Sequence, residues 1–294
     1  MGKPYDFSKN FNIRAGILGI FAAALLSYVL SSGLLIYSLR RAWQIYRGNE
    51  RGESPLQAVS ILFLFAVFSD MVQSFANILS ARWAFNGKVT EGSYCNAQAI
   101  LKQVGNDGVA CFTIAIAVLT FLQVMSPNAL GRYGAKYFVI GAIASTVLFI
   151  FLIITVPATI DHPYYGNTDL WCWILKAGQS TRRLRIASEY AVMWLAVVLS
   201  AILYGTIVIN WLLDAVDSQL RRDAVKMLWY PITYTVVVAP QSIVRFLQFN
   251  NYNPPHGIVI LTSVLFTSGG TFNSSPPTGL AIRFCILEIT DVLL

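Results

Sequence analysis

The sequence predicts an all-α, polytopic membrane protein, and three observations carry that prediction. Only 12% of its residues are charged, against about 25% in an ordinary soluble domain. Hydrophobic residues make up 56% of the chain, and its mean hydropathy is +0.59. These apolar residues are gathered into seven runs, six of them 20 to 26 residues long, and about 20 residues suffice to span a bilayer as a helix.

Taken in order, Gly16–Tyr37 leads directly into Arg40 and Arg41. It is too long for a cleavable signal core and reads as a retained anchor. Leu56–Leu79, Ile100–Met125, Tyr137–Val156, Tyr190–Leu213 and Met227–Phe249 follow, each long enough to cross. Gly257–Asn273 has 17 residues, which at about 1.5 Å per residue falls a few ångströms short of the hydrocarbon thickness. The longest connecting loop, roughly residues 157–189, leaves no separate soluble domain. Residues 1–273 therefore read as one transmembrane domain. Residues 274–294 read as a short atypical tail, because Pro276 and Pro277 stop any helix there.

A net charge of +7 raises the question of nucleic acid. The basic residues are scattered through short loops with no aromatic-interleaved patch, so no nucleic-acid partner is expected and the lipid bilayer is. Orientation is poorly determined by charge alone. The first, third and fifth connecting loops hold nine Lys and Arg residues; the N-terminus and the second and fourth loops hold nine as well. The first set sits in shorter loops near helix ends, where the positive-inside bias acts most strongly. That favours an N-terminus outside the cell. Cys95, at the mouth of the third span, and Cys172, before the fifth, fall on the same side of any seven-span arrangement. A disulfide between them requires an oxidising compartment and makes that side external; the alternative is two unpaired thiols.

The third span is unusually polar in its first half, with Lys102, Gln103, Asn106 and Asp107. Such groups are costly in hydrocarbon and mark a site, a relay or a buried pair. Counting from Gln98 puts Lys102 about 6 Å and Asp107 about 14 Å into the membrane. Counting along the second span puts Asp70 roughly 9 Å below the same edge, level with Lys102. Gln73 lies one turn from Asp70, and Gln241 follows the interior Pro240 of the sixth span. Asp70, Gln73, Lys102, Gln103, Asn106, Asp107 and Gln241 are thus candidate ligand-binding residues. The competing reading is an Asp70–Lys102 ion pair that only fixes helix packing. Arg245 is expected to snorkel at the interface. Pro240 is expected to kink its helix, which membrane helices tolerate.

Enzyme chemistry is not expected. The two histidines, His162 and His256, lie in loops without acidic or Cys neighbours at ligand spacing, and no metal or other cofactor is implied. The last span lacks the lysine that a retinal pigment needs. No inverted repeat or matching pair of broken helices points to a transporter. A transporter, or another seven-helix protein that does not use G protein, remains the alternative.

Several motifs in order carry a resemblance. They are SDMVQSFANILSARW at 69–83, CNAQAILKQVGND at 95–107 with FTIAIAVLTFLQV at 112–124, WCWI at 171–174, and KMLWYPITYTVVVAPQSIVR at 226–245. Together they resemble the fungal cAMP-receptor-like and glucose-sensor-type G-protein-coupled receptors, a group distantly similar to secretin-type receptors. The resemblance runs from about residue 20 to residue 247. It implies a seven-helix receptor in the plasma membrane with its N-terminus outside and a Cys95–Cys172 bridge. It also implies a cavity for an extracellular small molecule or nutrient among the outer helix halves. Signalling would run through a heterotrimeric G protein to the cAMP pathway, with Arg132, Arg221, Arg222 and Lys226 facing the Gα subunit. Rhodopsin-like receptors fit less well, because Gln123-Val124-Met125 stands where their Asp-Arg-Tyr would be.

Overall fold

Hydrocarbon offers backbone groups no partners, so each apolar run must close its hydrogen bonds within itself, as a helix does. The computed structural model describes residues 5–48, 56–160, 163–175, 190–212, 218–250 and 252–274. Its elements are α1 (Phe11–Gly48), α2 (Leu56–Ile78), a short α3 (Ala81–Asn86), α4 (Ser93–Met125) and α5 (Pro127–Ile160). A hairpin of β1 (Tyr165–Asn167) and β2 (Cys172–Ile174) follows. The chain then continues as α6 (Val192–Leu212), α7 (Ser218–Phe249), α8 (His256–Thr267) and α9 (Gly269–Ser274). Among the described residues, five spans are long and apolar enough to cross a membrane: α1, α2 running on through α3, α4, α5 and α6. The sixth is α7, whose 32 residues run unbroken through Pro231 and Pro240.

The seventh span is in two pieces, and the physical reason is visible. The helical path changes at Ser268, whose N–H bonds to the carbonyls of Val264 and Leu265. At this point α1 comes close: a Cβ on Gly270 would lie 2.8 Å from Ser31 Oγ and 3.3 Å from Ser27 Cβ. Glycine is what permits the approach. The Ser27 hydroxyl donates to the Thr267 carbonyl at 2.8 Å and accepts from the Thr271 N–H at 3.2 Å. Groups loosened by the break are thereby satisfied inside the bilayer. Together α8 and α9 cover residues 256–274, roughly 28 Å of rise. The segment that looked short on composition thus completes the bundle.

The centre of the bundle is α4, most of whose residues are buried; its neighbour α2 packs against it backbone to backbone. A Cβ on Gly105 would lie 2.6 Å from the Gln73 amide nitrogen, and one on Gly108 would lie 2.5 Å from Ser69 Oγ. Small residues at such a crossing let helices associate where no hydrophobic effect drives them together. By contrast α5 is peripheral, and Val147, Leu148, Phe151 and Leu152 face outward, as a lipid-facing helix requires.

One end of the bundle carries a cap. Phe7, Trp83, Cys95, Tyr164, Leu170, Trp171, Cys172 and Trp173 form a single buried cluster there. The N-terminal strap reaches the same end through a Phe7 N–H to Gly87 carbonyl bond of 2.9 Å. Gly87 adopts φ +69°, a conformation that only glycine takes at little cost, and a Cβ there would strike Ser8 Cα at 2.6 Å. Within the strap, Asp6 Oδ1 accepts from the Ser8 N–H at 2.9 Å. Hydrogen bonds from Ser8 hold the exposed Asp6 carboxyl below the usual carboxylate range. The tail from residue 275 onward lies outside the described residues.

Candidate ligand cavity

Cys95, in the first turn of α4, is bonded to Cys172 of β2 across a Cα–Cα distance of 5.2 Å. The expected bridge is therefore present, and it pulls the hairpin over the mouth of the bundle. In the antiparallel register, Asn167 pairs with Cys172 and Tyr165 with Ile174. Just below the bridge, Gln98 is fully buried and fully used. Its Oε1 accepts from Trp83 Nε1 at 2.8 Å and from the Cys172 N–H at 3.1 Å. Its Nε2 donates to Ser80 Oγ at 2.8 Å and to the Ala76 carbonyl at 3.2 Å. One amide side chain thus joins α2, α3, α4 and the hairpin, with every donor and both acceptor positions satisfied.

Among the described residues, two chambers lie below the cap. The upper one has a cavity volume of about 30 Å³, is partly open to the outside, and is bounded by Lys102, Asn77, Asn106, Gln241, Arg245 and Ser263 together with aromatic residues. Its roof is Trp171: the Lys102 ammonium lies 4.7 Å and the Arg245 guanidinium 5.0 Å from the indole ring centre. Cations at such distances are attracted by the ring face. Trp173 Nε1 points at Tyr190 Oη, 3.4 Å away. Gln241 Oε1 accepts from the hydroxyls of Thr262 at 3.0 Å and Ser263 at 3.2 Å. The lower chamber, with a cavity volume of about 20 Å³, is bounded by Asp70, Gln73, Asn106, Thr233, Tyr234 and Asn273, among others. Asn106, Met193 and Phe266 belong to both chambers and form the partition.

This geometry corrects the equal depth expected for Asp70 and Lys102. Because Gly105 rests on Gln73 and Gly108 on Ser69, Asp70 lies level with Gly108, about 9 Å further from the cap than Lys102. The sequence count ran from Leu56 across a nominal membrane thickness, whereas the contacts fix the register at the opposite end. Nor do the two form the alternative ion pair. Asp70 Oδ2 accepts from Asn273 Nδ2 at 2.7 Å, and Lys102 lies under Trp171 in the other chamber.

The remaining candidates separate. Lys102, Asn106 and Gln241 bound the upper chamber, and Asp70, Gln73 and Asn106 the lower. Gln103 is fully buried and accepts from the Tyr165 hydroxyl, so it holds the hairpin and bounds neither chamber. Asp107 bounds neither; it lies near Cys111, on the side of α4 that meets Thr146 of α5. Arg245, expected to snorkel, is instead 7% exposed and turned into the upper chamber. It lies one turn beyond Gln241, and that spacing was the overlooked signal. Trp171 and Trp173 were also overlooked, although they flank the bridging Cys172 and so must follow it to the mouth. The backbones of Arg132, Arg221, Arg222 and Lys226 run in α5 and α7, and their side chains lie outside the described residues.

Among solved structures, squid rhodopsin matches with a TM-score of 0.65, covering 94% of this chain and 81% of that one at 12% identity. The bundle is a seven-transmembrane fold of G-protein-coupled-receptor type. No protein-family model and no curated protein matches the chain, so the likeness is one of architecture. In this receptor-type fold the hairpin, its disulfide and the two chambers all lie at or below one end of the bundle.

Proposed function

We propose that the chain is a receptor in the plasma membrane that takes an extracellular small molecule or nutrient in the upper chamber. It signals through a heterotrimeric G protein to the cAMP pathway, as the fungal cAMP-receptor-like and glucose-sensor-type receptors that its motifs resemble do. The observation that carries this reading is a receptor-type bundle whose disulfide-anchored hairpin roofs a chamber rich in polar groups. Concave sites with a few convergent polar groups are where small ligands bind. The disulfide supports an external cap, and the strap of residues 5–10 at the same end supports an external N-terminus. On this reading, ligand binding shifts an existing equilibrium between two arrangements of the helices. Arg132, Arg221, Arg222 and Lys226 face the Gα subunit at the opposite end.

The test is association of the purified full chain, in lipid nanodiscs, with Gα subunits. A complex that forms in nucleotide-free conditions and dissociates on adding a non-hydrolysable GTP analogue is the expected result. Solute flux through liposomes containing the chain, with no nucleotide-sensitive Gα binding, contradicts it and favours a transporter.

A further inference from the structure

Two buried cations and one indole meet in the upper chamber. Trp171 is 3% exposed and bounds that chamber. The Lys102 ammonium and the Arg245 guanidinium lie 4.7 and 5.0 Å from its ring centre, within reach of a cation–π attraction. The chain itself therefore supplies the aromatic ring that both cations contact. Beside that ring the chamber keeps about 30 Å³, room for about two water molecules, where small-molecule sites have roughly 300 Å³ or more. The backbone around the ring is pinned. The Trp171 carbonyl accepts from the Thr168 N–H at 3.0 Å and from the Thr168 hydroxyl at 2.9 Å. Cys172 is bonded to Cys95, and its N–H donates to Gln98. The indole can therefore leave the cations by turning about its own side-chain bonds, with the hairpin still in place.

From this we infer that Trp171 is a tethered occupant of the ligand site, and that a ligand bearing a flat aromatic ring binds by taking its place against Lys102 and Arg245. The inference rests on the reading of the upper chamber as the ligand site and adds how that site is closed and what chemistry opens it. Displacing the indole gives up two cation–π contacts; an incoming aromatic ring restores them, and a polyol, which has no π face, does not. The exchange asks nothing of the cations' other neighbours, only that both meet the ring. Trp173 and Phe266 also bound the chamber and offer faces and edges for the entering ring to pack on. Because it is attached to the chain, the indole competes at a high effective concentration, so a free ring must bind well to displace it.

The experiment uses the full chain in nanodiscs with two probes, indole and glucose, read by calorimetry and by the shift in thermal midpoint. The chains compared are the unaltered one, Trp171→Ala, Trp171→Phe and Leu170→Ala. Leu170 is 2% exposed in the same cap cluster but bounds neither chamber. Indole is expected to bind Trp171→Ala about a hundredfold or more tighter than the unaltered chain, with Trp171→Phe between them; glucose gives no heat and no shift. In the Trp171→Ala background, Lys102→Gln or Arg245→Gln should each weaken indole binding about threefold or more. Trp171→Phe keeps a ring in place and decides the order if the alanine chain does not fold. Equal indole binding by the unaltered and the Trp171-substituted chains overturns the inference. So does a folded Trp171→Ala chain that binds no indole, a Leu170→Ala chain that gains the same binding, or glucose binding as tightly as indole. Nucleotide-sensitive Gα association of the same preparations separates the two claims: Trp171→Ala should change it, and indole should restore the parent value. Gα association indifferent to both leaves the receptor and sinks the tethered occupant. Indole exchange in a chain that binds no Gα leaves the occupant and sinks the receptor.

Discussion

The Asn273 side-chain amide donates a 2.7 Å hydrogen bond to the Asp70 carboxylate, joining the last turns of the seventh span to the middle of the second. Asp70 is 4% exposed, so this bond supports a carboxylate deep in the bundle. It also fastens α9 just beyond the break at Ser268.

Removing that donor has a definite expected effect. Asn273→Ala takes away a partner from a buried acceptor and should cost about 1–3 kcal/mol. Asp70→Asn together with Asn273→Ala should cost less than the two single changes added, because they share one interaction. Thermal unfolding of the four proteins in nanodiscs checks this; strict additivity would mean the bond does not couple the helices.

The Gln98 hub should be more sensitive than its size suggests. Gln98→Leu fits the space but strands Trp83 Nε1 and the Cys172 N–H, each a buried donor. The expected loss is about 3 kcal/mol, against about 1 kcal/mol for Trp83→Phe, which strands nothing on the hairpin. Melting curves of the two variants side by side test the ordering.

How much of this was legible beforehand follows from where each interaction originates. The apolar runs and the Cys95–Cys172 bridge are readable because one needs only length and composition and the other only that two loops share a side. The bipartite seventh span was readable as a short run but not as a break, because its cause is Ser27 and Ser31 on α1, some 240 residues away in sequence. The relative depth of Asp70 and Lys102 depended on the Gly105–Gln73 crossing, which a count from helix ends cannot supply. The polar half of α4 stands out in the sequence, yet its residues divide among three tasks. Lys102 and Asn106 bound the chambers, Gln103 holds the hairpin, and Asp107 turns toward α5. Helical spacing alone does not show which neighbours each face will meet.

Glycines on α4 and α5 should respond oppositely to the same change. Gly105→Ala places a methyl 2.6 Å from the Gln73 backbone, which cannot move aside as a flexible side chain would. It should cost about 1–3 kcal/mol through displacement of α2 against α4. Gly141 has nothing within 4 Å of the corresponding position, and Gly141→Ala should stay within about 0.5 kcal/mol of the parent. Equal effects would contradict the assigned crossing.

Breaking the bridge should act mainly on the cap. Cys95 and Cys172 close a loop 77 residues apart in sequence, and replacing both with Ala should lower stability by about 2–5 kcal/mol. Hydrogen exchange should rise in β1, β2 and residues 164–175 while the centre of α4 stays protected. Uniform loosening of the whole bundle would argue against a cap held by this bond.

The most direct measurement is the nucleotide sensitivity of Gα binding by the full chain in nanodiscs. The account predicts a complex that survives without nucleotide and falls apart when a non-hydrolysable GTP analogue is added. A chain that binds no Gα under either condition, while moving solute across liposomes, would contradict it.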